Sequence, residues 1–162
     1  IFNIIENSIK FKVQIKGSKI LDLFSGSGSF GLECISRGAD KVIFFENYFY
    51  TLKILEKNIS ELEVSNKCEI FDHDSFDIFS KKKILEKKFD LIFIDPPYKT
   101  NMLEDTLIKL QSLEYLSNAD YLYFEQQKDV NNSRCVNLIN NDFEVVKNLS
   151  IGDVSYTIAK KR

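Results

Sequence analysis

Histidine and cysteine are scarce in this 162-residue chain, and each shortage removes a class of chemistry. His73 is the only histidine, so a multi-histidine metal site is excluded and a Ser-His-Asp triad would have to use that one residue. Cys34, Cys68 and Cys135 are odd in number, far apart and form no C-x-x-C pair. This argues against a disulfide framework and a cysteine zinc site, and for buried thiols in a reducing compartment. No apolar run reaches membrane-spanning length and no signal peptide is visible, so a cytoplasmic protein without a membrane partner is expected. Excess positive charge is lacking as well. The formal net charge is -2, and any nucleic-acid contact must come from a local patch. What is present is a globular composition, 44% hydrophobic and 28% charged, long enough for one domain with a real core; residues 1–162 are read as that domain.

Apolar spacing predicts a helix over 1–11, strands over 19–24 and 41–46, helices over 30–37 and 48–62, and a strand over 67–71. A helix around 75–85, a strand over 89–94, a helix over 102–113 and a strand over 120–125 follow. A short helix over 131–140 precedes two strands, 143–149 and 155–160, joined through Gly152-Asp153 as a hairpin. Strands alternating with helices predict an α/β, doubly wound, seven-stranded and mostly parallel sheet with a C-terminal antiparallel hairpin. The first four strands are almost wholly apolar, as strands covered on both faces are. Polar residues at their C-terminal ends stand out, because ligands bind there in this architecture.

One such end is "LDLFSGSGSFGLE", Leu21 to Glu33. Gly26, Gly28 and Gly31 form G-x-G-x-x-G directly after a strand and at the mouth of a helix, where close backbone approach and positive φ favour glycine. Glu46 closes the next strand about 20 residues on, where a carboxylate can accept hydrogen bonds from a ribose diol. Together these point to a nucleoside cofactor. Asp22 precedes the loop. A carboxylate there would repel a pyrophosphate but can bind an ammonium, which favours S-adenosylmethionine over NAD; the same carboxylate can cap loop amides instead. In "FDHDSF", Asp74 and Ser75 can either contact an adenine edge or serve as a helix N-cap. His73 is read as a rim or surface residue. A second strand end is "FDLIFIDPPY", Phe89 to Tyr98. Its two prolines remove backbone donors and stiffen the chain where a strand must stop.

Taken together, "IFNIIEN", "LDLFSGSGSFGLECISRGA", "FFEN", "FDLIFIDPPYK" and "GDVSYTIAKK" resemble class I S-adenosylmethionine-dependent methyltransferases. More narrowly, they resemble the RsmD-type 16S rRNA guanine-N2 methyltransferases, in order and over essentially the whole chain. The resemblance implies a Rossmann-like fold and S-adenosyl-L-methionine as cofactor. It implies a monomer acting on 16S rRNA, in the small ribosomal subunit or an assembly intermediate of it. It carries cofactor binding to Asp22, Phe24, Gly26, Ser27, Gly28, Gly31, Glu46, Asn47, Asp74 and Ser75, and catalysis to Asp95, Pro96, Pro97 and Tyr98. No metal is implied. Asp95 and the Pro96 carbonyl would accept hydrogen bonds from an exocyclic amine, Pro97 would keep the turn stiff, and Tyr98 would stack on the base. Lys99 is the candidate phosphate contact among several lysine-rich stretches. Members of that family usually carry a further basic N-terminal stretch, and this chain is expected to begin inside the helix that follows it. D-P-P-Y alone leaves DNA adenine methylation open. Glutamine-modifying enzymes usually place Asn first in the tetrad. An NAD-dependent dehydrogenase is disfavoured by Asp22, and a non-catalytic nucleotide-binding remnant is the remaining alternative.

Overall fold

A computed structural model describes residues 2, 5, 13–72, 88–98, 101–112, 114–128 and 132–162. The expected helix around 75–85, together with His73, Asp74, Ser75 and Lys99, lies outside the described residues, as does most of the expected N-terminal helix; Phe2 and Ile5 are helical. Seven strands form one sheet: β1 (Lys19–Leu23), β2 (Lys41–Phe45), β3 (Cys68–Phe71), β4 (Phe89–Ile94), β5 (Ala119–Gln127), β6 (Phe143–Ile151) and β7 (Val154–Lys161). Their order is β3-β2-β1-β4-β5-β7-β6. The first five are parallel and β7 is antiparallel to both β5 and β6, as the sequence predicts.

Four helices are described: α1 (Ser29–Ser36), α2 (Phe49–Glu61), α3 (Met102–Ser112) and α4 (Asn132–Ile139). Strand side chains alternate between faces, so each parallel strand feeds two cores. Leu21, Leu23, Ile43, Phe45, Ile92 and Ile94 pack with Leu107 and Leu110 of α3 and Ile139 of α4. Ile20, Val42, Phe44, Leu91 and Phe93 pack on the other face with Phe30 of α1 and Leu55 and Ile59 of α2. The alternation puts Asp22 on the α1 face, pointing a carboxylate at a helix rather than at water.

Most element ends agree with the sequence to within two residues, and the differences have local causes. β1 stops at Leu23 because Phe24 turns to φ +62. β5 runs beyond its expected limits because β7 pairs along it as far as Gln127 opposite Val154. The β6–β7 turn is Gly152-Asp153, with Gly152 at φ +58. Chain order reverses between β1 and β4, the position where doubly wound sheets open a crevice at their C-terminal edge.

Candidate active site

The glycine loop is built by three separate constraints. Gly26 has φ +56, and a Cβ there would meet no atom of the described residues within 4 Å. Gly28, the residue before α1, has φ +82, and a Cβ would fall 2.3 Å from Leu55 Cδ1. Gly31 is ordinary helix, but a Cβ would lie 2.3 Å from Phe44 Cε1; its role is close helix–sheet packing. Asn58 Nδ2 donates to the Ser27 carbonyl at 3.0 Å and ties the loop to α2. Ser25 stitches the loop to β2: its hydroxyl donates to the Asp22 carbonyl at 2.7 Å and accepts the Phe45 N–H at 3.0 Å.

Two carboxylates hold this loop. Glu46 Oε2 accepts the Gly26 N–H and Oε1 accepts the Tyr48 N–H, both at 2.7 Å. Each oxygen keeps a lone pair for a further donor. Asp22 Oδ2 accepts the Gly31 N–H at 3.1 Å, whereas Oδ1 is buried and has no partner among the described residues. Asp22 is 1% exposed. Burial, less the Gly31 hydrogen bond and with the nearby Asp95 and Glu46 charges, pushes its carboxyl up to about 8. A buried acid with one orphaned oxygen is matched by a cationic donor, and an ammonium satisfies both its charge and its lone pairs.

Across the switch point, β4 ends at Ile94 and the tetrad Asp95-Pro96-Pro97-Tyr98 follows. Burial, then the Glu125 charge, raises Asp95 to about 6, and a hydrogen bond with Tyr98 opposes the shift. The Tyr98 hydroxyl donates to Glu125 Oε2 at 3.0 Å, and the ring is 37% exposed. Two cavities meet here. One, of about 430 Å³, is lined by Asp22, Phe24, Ser29, Phe30, Asp95 and Glu125 among others. The other, of about 340 Å³, is lined by Phe24, Phe45, Glu46, Asn47, Asp95, Pro96, Pro97 and Tyr98. Phe24 and Asp95 belong to both. Phe24 pays for that position with positive φ, a conformation disfavoured for an aromatic residue.

The structure thus brings Asp22, Phe24, Gly26, Glu46, Asn47 and the tetrad to one edge of the sheet. It says nothing of Asp74, Ser75 or Lys99, which lie outside the described residues. The sequence reading missed Ser25, Glu125 and an aromatic rim. Glu125 carried a usable signal, an acid near the C-terminal end of a parallel strand beside β4. Tyr48, Phe49 and Tyr50 follow Asn47 directly and are 60%, 62% and 67% exposed. Among the described residues no group of His, Cys, Asp and Glu is arranged to hold a metal ion. Among the described residues no helix is long and apolar enough to cross a membrane.

Comparison with known proteins agrees with this fold. Ribosomal RNA small subunit methyltransferase D of Buchnera aphidicola subsp. Acyrthosiphon pisum is 38% identical over 114 residues, 70% of this chain and 58% of that protein. The chain therefore spans under two thirds of that relative's length. A Haemophilus influenzae structure, described provisionally as a methylase, superposes with a TM-score of 0.71 at 30% identity over 91% of this chain and 88% of that one. Magnesium protoporphyrin IX methyltransferase from Synechocystis, solved with bound SAM, shares the fold at a TM-score of 0.72 and 14% identity, over 92% of this chain and 72% of that one. Residues 1–160 match the family described as Conserved hypothetical protein 95, and the chain belongs to that family, the RsmD-type methyltransferases.

Proposed function

We propose that the protein is an S-adenosyl-L-methionine-dependent methyltransferase acting on the N2 amine of a guanine in 16S rRNA. The observation that carries this reading is the shared cavity edge. A cation-seeking carboxylate, Asp22, and an amine-accepting tetrad, Asp95 to Tyr98, flank the seam at Phe24. The residues fit the cofactor. Asp22 Oδ1 would take its ammonium, Gly26 leaves the loop backbone open to approach, and the free lone pairs of Glu46 would accept from its ribose. When bound, the cofactor supplies an electrophilic methyl on a sulfonium.

The rest is the work of this chain. An exocyclic amine is a weak nucleophile because its lone pair is conjugated with the ring. Asp95 and the Pro96 carbonyl each accept one N–H, which orients the nitrogen and turns its lone pair outward. The adjacent prolines hold both acceptors rigidly. Tyr98 offers an exposed ring for the base to lie on, a contact worth about 1–3 kcal/mol. As the nitrogen is alkylated its remaining protons become acidic, and Asp95, already raised to about 6, is placed to take one. The rim of Tyr48, Phe49 and Tyr50 suits unstacked bases beside the target, which must leave its own stack to enter the cavity. The substrate is rRNA of the small ribosomal subunit or its assembly intermediate, and the protein acts as a cytoplasmic monomer.

The test is incubation with isotopically labelled donor and small subunits lacking the modification, followed by nucleoside mass spectrometry. Label in N2-methylguanosine is expected. Label only in N6-methyladenosine would overturn the base assignment. Absence of donor binding at high micromolar concentration would overturn the cofactor assignment as well.

A further inference from the structure

Glu125 is needed neither to hold the donor loop nor to receive the amine, yet it is 6% exposed and lines the larger cavity. Both its oxygens are engaged by phenols: Tyr123 donates to Oε1 at 2.7 Å and Tyr98 to Oε2 at 3.0 Å. Among the described residues no cation pairs with it. Among the described residues, the titratable groups that line its cavity, bond to it or pair with it are acids and phenols: Asp22 on β1, Glu33 on α1, Asp95 and Tyr98 after β4, Tyr123 on β5, and Tyr156 directly opposite on β7. Burying a carboxylate among them is unfavourable, which makes Glu125 a poor device for stability alone.

The two phenols differ in rigidity. The Tyr123 ring stacks on Phe93 at 4.8 Å, and Phe93 stacks on Phe30 at 3.7 Å, both nearly parallel, so its hydroxyl is fixed by the core. Tyr98 sits in a turn, more than a third exposed. Glu125 therefore links an immobile ring to the ring that faces the ligand.

We propose that Glu125 is a positioning residue of the methyl-accepting half of the site. Through the Tyr98 hydroxyl it sets the plane on which the target base lies, and its charge beside Asp95 makes Asp95 the better proton acceptor. This rests on the methyltransferase reading above. In that step the amine nitrogen forms a bond to the methyl carbon while the carbon–sulfur bond breaks with its electrons going to sulfur. The proton leaving nitrogen passes to Asp95.

The experiment compares the parent protein with Glu125→Gln, Tyr98→Phe and the double variant. Glutamine keeps the shape and an acceptor but removes the charge. Single-turnover methyl transfer is expected to fall about tenfold in Glu125→Gln, with donor affinity within about twofold of the parent. The effects of the two single changes should not add in the double variant, because both break one link. The acid limb of the rate should move to lower pH in Glu125→Gln, because loss of the neighbouring negative charge lets Asp95 ionise more readily. A carbon-13 titration of the Asp95 carboxyl, read without any RNA, should show the same downward displacement in Glu125→Gln from a midpoint of about 6. Loss of melting temperature in Glu125→Gln with an unmoved Asp95 titration would make Glu125 merely structural and overturn the proposal. A parent that transfers no methyl while the titration still moves would instead sink the functional reading and leave the Glu125 link standing.

Discussion

Strands β1 and β4 lie side by side and parallel, with Asp22 opposite Phe93, and each delivers a carboxylate to the same edge. The two acids are held in opposite ways. Asp22 is inside its strand, almost completely buried, and bonded to a backbone N–H of α1. Asp95 lies just beyond its strand, beside a side-chain network in which Tyr98 and Tyr123 both donate to Glu125. One half-site is thus set by main-chain geometry and close packing, the other by side-chain hydrogen bonds. A backbone-built half suits a cofactor of constant shape. A side-chain-built half can adjust to the RNA base that the proposed function brings to it.

The largest expected break between the halves is Asp95→Ala. Methyl transfer should drop by about 10²–10⁴-fold, the range for loss of a positioned acid–base group, while donor affinity measured by calorimetry stays within about twofold. Loss of both together would mean that Asp95 supports the donor half too, and the comparison would collapse.

Asp22→Asn should do the reverse, weakening donor binding about tenfold or more through loss of a charge-assisted hydrogen bond. It should also reveal the cost of burying that acid. The folded-state value of about 8 stands above the ordinary 3.8. Between those limits the unfolded chain has released a proton that the folded chain retains, so Asp22 makes the parent progressively less stable as pH rises through this window. Asparagine does not titrate. Urea midpoints at about pH 5 and about pH 8 should therefore show the variant gaining on the parent at the higher pH. A constant difference would mean that Asp22 is already ionised when the protein is free.

Gly31→Ala and Gly26→Ala sharpen the donor half further. At Gly31 the added carbon would strike Phe44, and overpacking of this kind costs about 1–3 kcal/mol, read as a lower urea midpoint. At Gly26 no atom of the described residues stands within 4 Å, so the loss in stability is confined to the positive φ, about 1–2 kcal/mol. Only Gly26→Ala places a new carbon on a loop face that packs against no protein, so its donor affinity should fall relative to its stability more than that of Gly31→Ala.

The same contrast decides what was legible in the sequence. The donor half is local: Asp22, the glycines and Gly31's helix occupy one short stretch, and Glu46 directly follows the next strand, so spacing alone places them. The sheet was legible for the same reason, since apolar runs bounded by turn residues mark buried parallel strands whatever their partners. The acceptor half is only partly local. D-P-P-Y is contiguous, but Glu125 lies 27 residues beyond Tyr98, and only the β4–β5 pairing brings them together. No periodicity encodes a hydrogen bond between two phenols and an acid. The division of labour among the glycines was equally hidden, because the need for glycine at position 31 comes from Phe44 on another strand.

The smallest expected effect lies on the rim, and it tests whether the adjustable half extends outward. Tyr48, Phe49 and Tyr50 bury little, so replacing all three with serine should change stability by no more than about 0.5 kcal/mol. A serine at position 48 precedes the first turn of α2, a favourable capping site, which offsets lost contact between the rings. The backbone there is held independently, since Glu46 Oε1 accepts the Tyr48 N–H and Asn58 anchors α2 to the glycine loop. Donor affinity should therefore remain that of the parent. RNA is the ligand that should notice. If bases flanking the target stack on these rings, KM for the ribosomal substrate should rise by about tenfold, with kcat nearly unchanged, as for loss of binding shared by ground and transition states. An unchanged KM would confine RNA recognition to Tyr98 and the cavity mouth. A fall in kcat without a rise in KM would mean that the rim shapes the donor half after all.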